Sequence, residues 1–278
     1  MATRTFADKS RRLERVRQAL RRRYGDQPKP AVTHPVEYAI RTILSEEAPP
    51  EAVEKALERL RKGFVDWNDL RVSRLREIRD VLGPDFPRAS YKARVIPRLL
   101  DQVFKDHNSM IWDFLEAMGK VEARAYFEKL EEVRPFVAAT LARDCAEAHA
   151  FPVDNDISRT LGRLGVVEPG KETEAQLQAF LERAVKSARA LEVHQLLKRL
   201  AHDVCGSEER ICIRCVVRKT CPSVDLTRRS TKAAKAKKGK AVKVRPSARA
   251  KDKPGRNGSA RKAASAGPGK KTAKRRKA

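Results

Sequence analysis

Long apolar runs are missing from this 278-residue chain, and no window approaches the ~18 consecutive apolar residues that a membrane-spanning helix requires. Sustained alternation of apolar and polar residues is missing as well, so strands are not expected. Aromatic residues make up only 5%, which leaves core building to Leu, Ile, Val and Ala. The stretch from Met1 to Val16 has no apolar centre and no small-residue cleavage site, and no secretory signal is expected there. Cysteine is scarce: there are five, and four of them crowd between Cys205 and Cys221. A secreted disulfide scaffold spreads its cysteines more widely, so an intracellular, soluble, metal-bearing protein is expected.

What the chain has in excess is positive charge. Its net charge is +26, and residues 226–278 hold 21 Lys and Arg against the single acid Asp252. That segment therefore carries +20 of the +26, leaving +6 on the body. A polyanionic partner follows. From Thr231 to Ala278 the only sizeable apolar residues are Val242 and Val244. Such a segment buries too little to offset chain entropy and is expected to be a disordered basic tail. It serves either to condense on phosphate by displacing counterions, or as a solubility or nuclear-localisation-like run.

The body reads as helical. Val53, Ala56, Leu57 and Leu60 fall at i, i+3, i+4 and i+7, and Val193, Leu196, Leu197, Leu200, Ala201 and Val204 repeat the pattern. Arg12 to Tyr24 forms a basic helix with Leu13, Val16 and Leu20 on its apolar face and Gly25 as its stop. Breaks fall at Gln27–Pro30, Ala48–Pro50, Gly83–Pro87, Phe151–Pro152 and Pro169–Gly170. There is no convincing internal repeat.

Cys205, Cys212, Cys215 and Cys221 are spaced C-x6-C-x2-C-x5-C directly after an amphipathic helix. Four thiolates on one short loop can wrap a [4Fe-4S] cluster. Zinc is the alternative, although four-cysteine zinc sites more often show two C-x2-C knuckles and only one exists here. Cys145 lies in a partly apolar helical stretch and reads as a buried free thiol.

This spacing resembles the cluster loop of the endonuclease III and adenine-glycosylase branches of the helix-hairpin-helix DNA glycosylases. The resemblance runs from about His34 to Cys221. The segment from His34 to Ser45 is similar to the family's early helix, which begins at a proline and ends in Leu-Ser. Val153-Asp154-Asn155-Asp156-Ile157-Ser158-Arg159 resembles the segment carrying the family's catalytic aspartate. The resemblance implies an all-α, two-lobed fold. A six-helix lobe would span residues 31–148 and end in the hairpin. An iron–sulfur lobe would combine residues 8–30 with 149–225, and the tail, 226–278, would follow. Double-stranded DNA would lie between the lobes with a damaged base flipped out, bound by a monomer associated with chromosomal DNA. Arg134, Arg214, Arg218 and Lys219 would then lie near phosphates, alongside the tail after Leu226; for the last three of these side chains a merely solvated face is the competing reading.

The resemblance also exposes departures. Counting back from Asp154 puts the hairpin at Leu130 to Leu141, where the family has Leu-Pro-Gly-Val-Gly, a basic residue and the catalytic lysine. Here Glu131, Glu132 and Arg134 replace the proline and both glycines, and Phe136 stands at the lysine position. Glycines allow close backbone approach to phosphate, and glutamates oppose it. Phenylalanine has no lone pair, so Schiff-base lyase chemistry is expected to be lost, and neither Lys120 nor Lys129 stands on the same helix position. Where the family carries a glutamine after Leu-Ser, this chain has Glu46 and Glu47. Asp154 remains as the candidate catalytic carboxylate, with Asp156 a weaker substitute, though any of Asp154, Asn155 and Asp156 can simply cap the following helix. Two functions stay open: a cluster-bearing base-excision-repair protein, at most a monofunctional glycosylase, and a non-catalytic architectural or nucleoid-associated DNA binder on the same scaffold.

Overall fold

Apolar residues three and four positions apart, punctuated by proline and glycine, give a chain built of helices. The computed structural model describes residues 5–207 and 210–224, and among them are twelve α-helices and no strand. All lie in the first of two units, residues 1–235. The basic tail, expected to be disordered, lies outside the described residues.

The helices run α1 (Phe6–Tyr24), α2 (Pro35–Ser45), α3 (Pro50–Gly63), α4 (Trp67–Val72), α5 (Leu75–Leu82) and α6 (Ala89–His107). They continue with α7 (Phe114–Ala117), α8 (Lys120–Lys129), α9 (Pro135–Cys145), α10 (Asn155–Arg163), α11 (Glu174–Ala184) and α12 (Ser187–Asp203). Local chemistry sets their ends. Thr5 accepts the Asp8 amide to start α1, and Gly25, at φ 72°, stops it. Proline at the first helical position opens α2, α3 and α9, where its missing N–H costs nothing. Thr173 and Gln176 form a reciprocal capping box on α11.

Two hydrophobic cores result. The first gathers α2 to α9, with Ile40, Leu57, Leu60, Leu100, Phe127 and Leu141 fully buried. Six of those eight helices have eight residues or more; α4 and α7 are shorter. The second core joins Leu13, Val16 and Leu20 of α1 to Phe151, Leu161, Leu181 and Leu197. The beginning of the chain and the helices after Phe151 thus share one interior, against which Cys205, Cys215 and Cys221 also pack.

One lysine is buried outright in the first core. Lys92 has no exposed surface, and its ammonium donates to the carbonyls of Leu44 (2.9 Å) and Glu46 (2.8 Å), satisfying the last turn of α2. It also lies 4.5 Å from the centre of the Phe86 ring. Burial pushes its pKa down from 10.5 to about 8. Between those values the unfolded chain binds more protons than the folded one, so this group makes stability rise with pH across that window and holds it down below pH 8. Urea unfolding of the wild type should therefore shift to higher midpoints between pH 8 and 10.5 relative to Lys92→Met. Parallel pH profiles for the two proteins would refute it.

Candidate active site

The hairpin joins α8 to α9 through Leu130 to Arg134. Glu132, at a position where the family has glycine, adopts φ 59°, the left-handed backbone that glycine takes without strain. The turn thus takes a left-handed residue that is not glycine. Its carboxylate is held by Arg94 at 3.2 Å and by Arg98. Arg134, expected near phosphate, is committed inside the protein: its Nη1 pairs with Glu46 at 2.5 Å, and its Nη2 donates to both oxygens of Glu174 on α11 at 2.8 and 2.9 Å. Phosphate would have to displace those carboxylates.

Glu46 and Glu47, read from sequence as carboxylates facing DNA, are internally engaged. Glu46 is fully buried, pairs with Arg134 and lies 3.4 Å from Arg88; burial raises its pKa despite those cations. Glu47, at φ 57°, accepts a hydrogen bond from Asn155 and lies 3.6 Å from Arg88. The expected repulsion toward DNA is thus cancelled by arginines that sequence spacing could not place beside them.

Phe136 is the second residue of α9 and is 2% exposed. Asp154 caps α10, accepting the Ile157 amide at 2.9 Å on one oxygen. Its other oxygen lies 2.5 Å from the ammonium of Lys198, which reaches in from α12. Lys198 also touches Asp156 at 3.1 Å and stands 5.9 Å from the centre of the Phe136 ring. Arg159 pairs with the other Asp156 oxygen at 2.7 Å, and His202 approaches Asp156 at 3.9 Å.

Burial alone would push the Lys198 pKa down, but Asp154 and Asp156 outweigh it and hold the ammonium charged. Burial would raise Asp156, but Lys198 and Arg159 prevail and lower it. The four charges sum to zero. Sequence reading missed Lys198, although His194, Lys198 and His202 recur at i, i+4 and i+8 beside the apolar face of the amphipathic α12. His194, the first of that stripe, is buried between Phe136 and Phe151. Burial, then Arg143 and Lys198, hold its pKa well below 6.5, and both its ring nitrogens lack a hydrogen-bond partner.

No protein-family model matches this sequence, and no curated protein matches it. Among solved structures the chain is similar to endonuclease III trapped as a covalent intermediate with DNA, at TM-score 0.64 and 17% identity, over 79% of this chain and 98% of that one. It is similar to a thermostable thymine-DNA glycosylase, at TM-score 0.57 and 14% identity, over 78% and 97%. The 3-methyladenine DNA glycosylase of H. pylori bound to 1,N6-ethenoadenine is a third, at 0.53 and 16%, over 69% and 96%. The fold is that of the helix-hairpin-helix DNA glycosylases.

On this glycosylase fold the cysteine loop follows α12, with a 3-10 turn at Cys212–Arg214. None of the four thiols is in a disulfide, and all are half-buried. Among the described residues no three potential ligands are arranged as around a single metal ion. Four thiols on one short loop are the donor set that a [4Fe-4S] cluster would take, and zinc accepts the same set. Burial, helped by neighbouring thiols, pushes Cys215 up to about 11 and raises Cys221, a cost that a cation between them would reverse. Arg163 ties the loop to α10 by donating to the carbonyls of Cys205 (2.9 Å) and Gly206 (2.6 Å). Arg214 and Lys219 are exposed, while Arg218 donates to the Ile213 carbonyl at 2.8 Å. Cys145 is a free thiol that burial lifts to about 12.

Truncating one partner of a buried pair strands the other. Lys198→Ala should cost about 3–5 kcal/mol in urea unfolding, and Lys198→Met combined with Asp154→Asn should recover much of that loss. An additive double-mutant cycle would show that the pair is not coupled.

Proposed function

We propose that this chain is a DNA-binding protein on a base-excision-repair glycosylase scaffold, that it holds a [4Fe-4S] cluster through Cys205, Cys212, Cys215 and Cys221, and that it engages duplex DNA without excising a base. The observation that carries the last part is the Asp154–Lys198 pair. A carboxylate that stabilises positive charge developing on a sugar has to present net negative potential to it. Asp154 has no exposed surface, spends one oxygen on the α10 amide and the other on Lys198, and sits in a cluster of zero net charge. Phe136 supplies no amine, so covalent capture of an abasic site at that position is closed.

A cluster bound to the four cysteines would cross-link the loop through iron–sulfur bonds and so fix the end of the second core. Cys205, Cys215 and Cys221 lie against that core already. Binding of the phosphate backbone would then rest on the exposed cations of the loop, Arg214 and Lys219, and on the tail, whose +20 makes affinity steeply salt dependent.

A second reading has one observation in its favour. Lys198 keeps 14% of its side chain exposed, so a bound phosphate drawing it away would free Asp154 for monofunctional excision. Single-turnover assays on duplexes with oxidised pyrimidines, uracil or thymine mismatches, and adenine opposite oxidised guanine separate the two. Binding without base release from any duplex is the expected result. Release that disappears in Asp154→Asn would overturn it and establish a monofunctional glycosylase. For the cluster, Cys212→Ser should lose the brown chromophore and its iron together; full iron retention would sink the assignment.

A further inference from the structure

The geometry points to a second phosphate-binding surface, formed by α1 together with the cysteine loop and fitted to the backbone of duplex DNA. Most cations on α1 are already spoken for. Lys9 pairs with Glu172, Arg11 with Asp8, Arg17 with Glu14 and Glu192, and Arg21 with Asp26. Arg12 fastens the helix down, donating to the carbonyls of Leu164 and Thr220, both at 2.6 Å. Arg15 and Arg22 are different: both are exposed, and among the described residues neither side chain has a hydrogen-bond or ion-pair partner. The same holds for Lys219 on the cysteine loop.

These three cations edge one groove of about 340 Å³ between α1 and the loop. Its floor is apolar, formed by Val16, Leu164 and Val217, each at most 5% exposed. Arg15 and Arg22 are seven residues apart, so they stand on one face two turns from each other, about 10.5 Å along the axis. The carboxylate nearest in sequence, Glu14, is occupied by Arg17 and Gln18. A rim of unpaired cations over an apolar floor suits a chain of phosphates joined by sugars. The tail is excluded as occupant, because its +20 repels the rim. The inference rests on the DNA-binding reading and adds to it a site away from Asp154.

The test uses the full chain, a short duplex and the salt dependence of binding. Each phosphate that the protein no longer neutralises reduces the log–log slope by about 0.9. Arg15→Ala with Arg22→Ala should therefore flatten the slope by about 2. The charge-matched pair Lys55→Ala with Lys129→Ala, on α3 and α8, should leave it unchanged. Equal changes in both pairs, or none in either, would overturn the site while leaving DNA binding itself standing. If the unmodified chain fails to bind duplex at all, the DNA-binding reading falls as well. A benzophenone side chain introduced at Gln18, on the same groove, should form adducts with duplex. Adducts with polyglutamate but not with duplex would assign the groove to an acidic polypeptide and overturn the proposal.

Discussion

Charge buried where two hydrophobic cores meet is the constraint that organises this protein. Asp154, Asp156, Lys198 and Arg159 come from α10 and α12, and Phe136 of the first core closes over the ammonium. An isolated charge at that depth would be prohibitive, so each group needs the others. Asp154 does two things at once: it caps α10 and neutralises Lys198. Tied to both, it fixes where α10 begins relative to α12, and with it the boundary against the hairpin helix α9.

The same economy runs along the rest of that boundary. Arg134 of the hairpin reaches Glu46 beyond α2 and Glu174 on α11, Asn155 reaches Glu47, and Arg124 of α8 reaches Glu182 and the carbonyl of His149. Arginines and carboxylates along this boundary are turned to one another. Each pair is weak by itself where water screens it, but Glu46 is fully buried, and its partners are held by the fold. Glu46, Glu47 and Glu132 are counterions for the arginines Arg88, Arg94, Arg98 and Arg134, whereas Glu131 is exposed.

How much of this could be read from sequence depended on whether the signal was local. Helix periodicity, the prolines that open α2, α3 and α9, and Gly25 after α1 are local, and the helices follow them. The order of the aspartate segment and the cysteine loop is likewise a linear pattern, and the fold agrees with what it implied. The partners of Asp154 and Arg134 are not local: Lys198 lies 44 residues from the first and Glu174 lies 40 from the second. A lysine in line with two histidines beside an apolar helix face was the available hint, and it is ambiguous, since long side chains often run along apolar surface to water. Glu132 shows the converse. Its residue type argued against a glycine turn, yet tertiary packing and two arginines hold it in the left-handed region.

The hairpin turn is held against its own strain. A glutamate without supporting contacts would relax to an unstrained backbone conformation. Instead Glu132 keeps the positive φ, Arg134 is fixed by two carboxylates, and Glu131 still donates its amide to Gln102 at 2.9 Å. Strain of order 1–2 kcal/mol persists only where surrounding contacts over-determine the geometry. The contacts doing so are the pairs of Glu132 with Arg94 and Arg98 of α6 and the packing of α8 against α9. Arg134, paired with Glu174 on α11, ties the same hairpin to the helices of the second core.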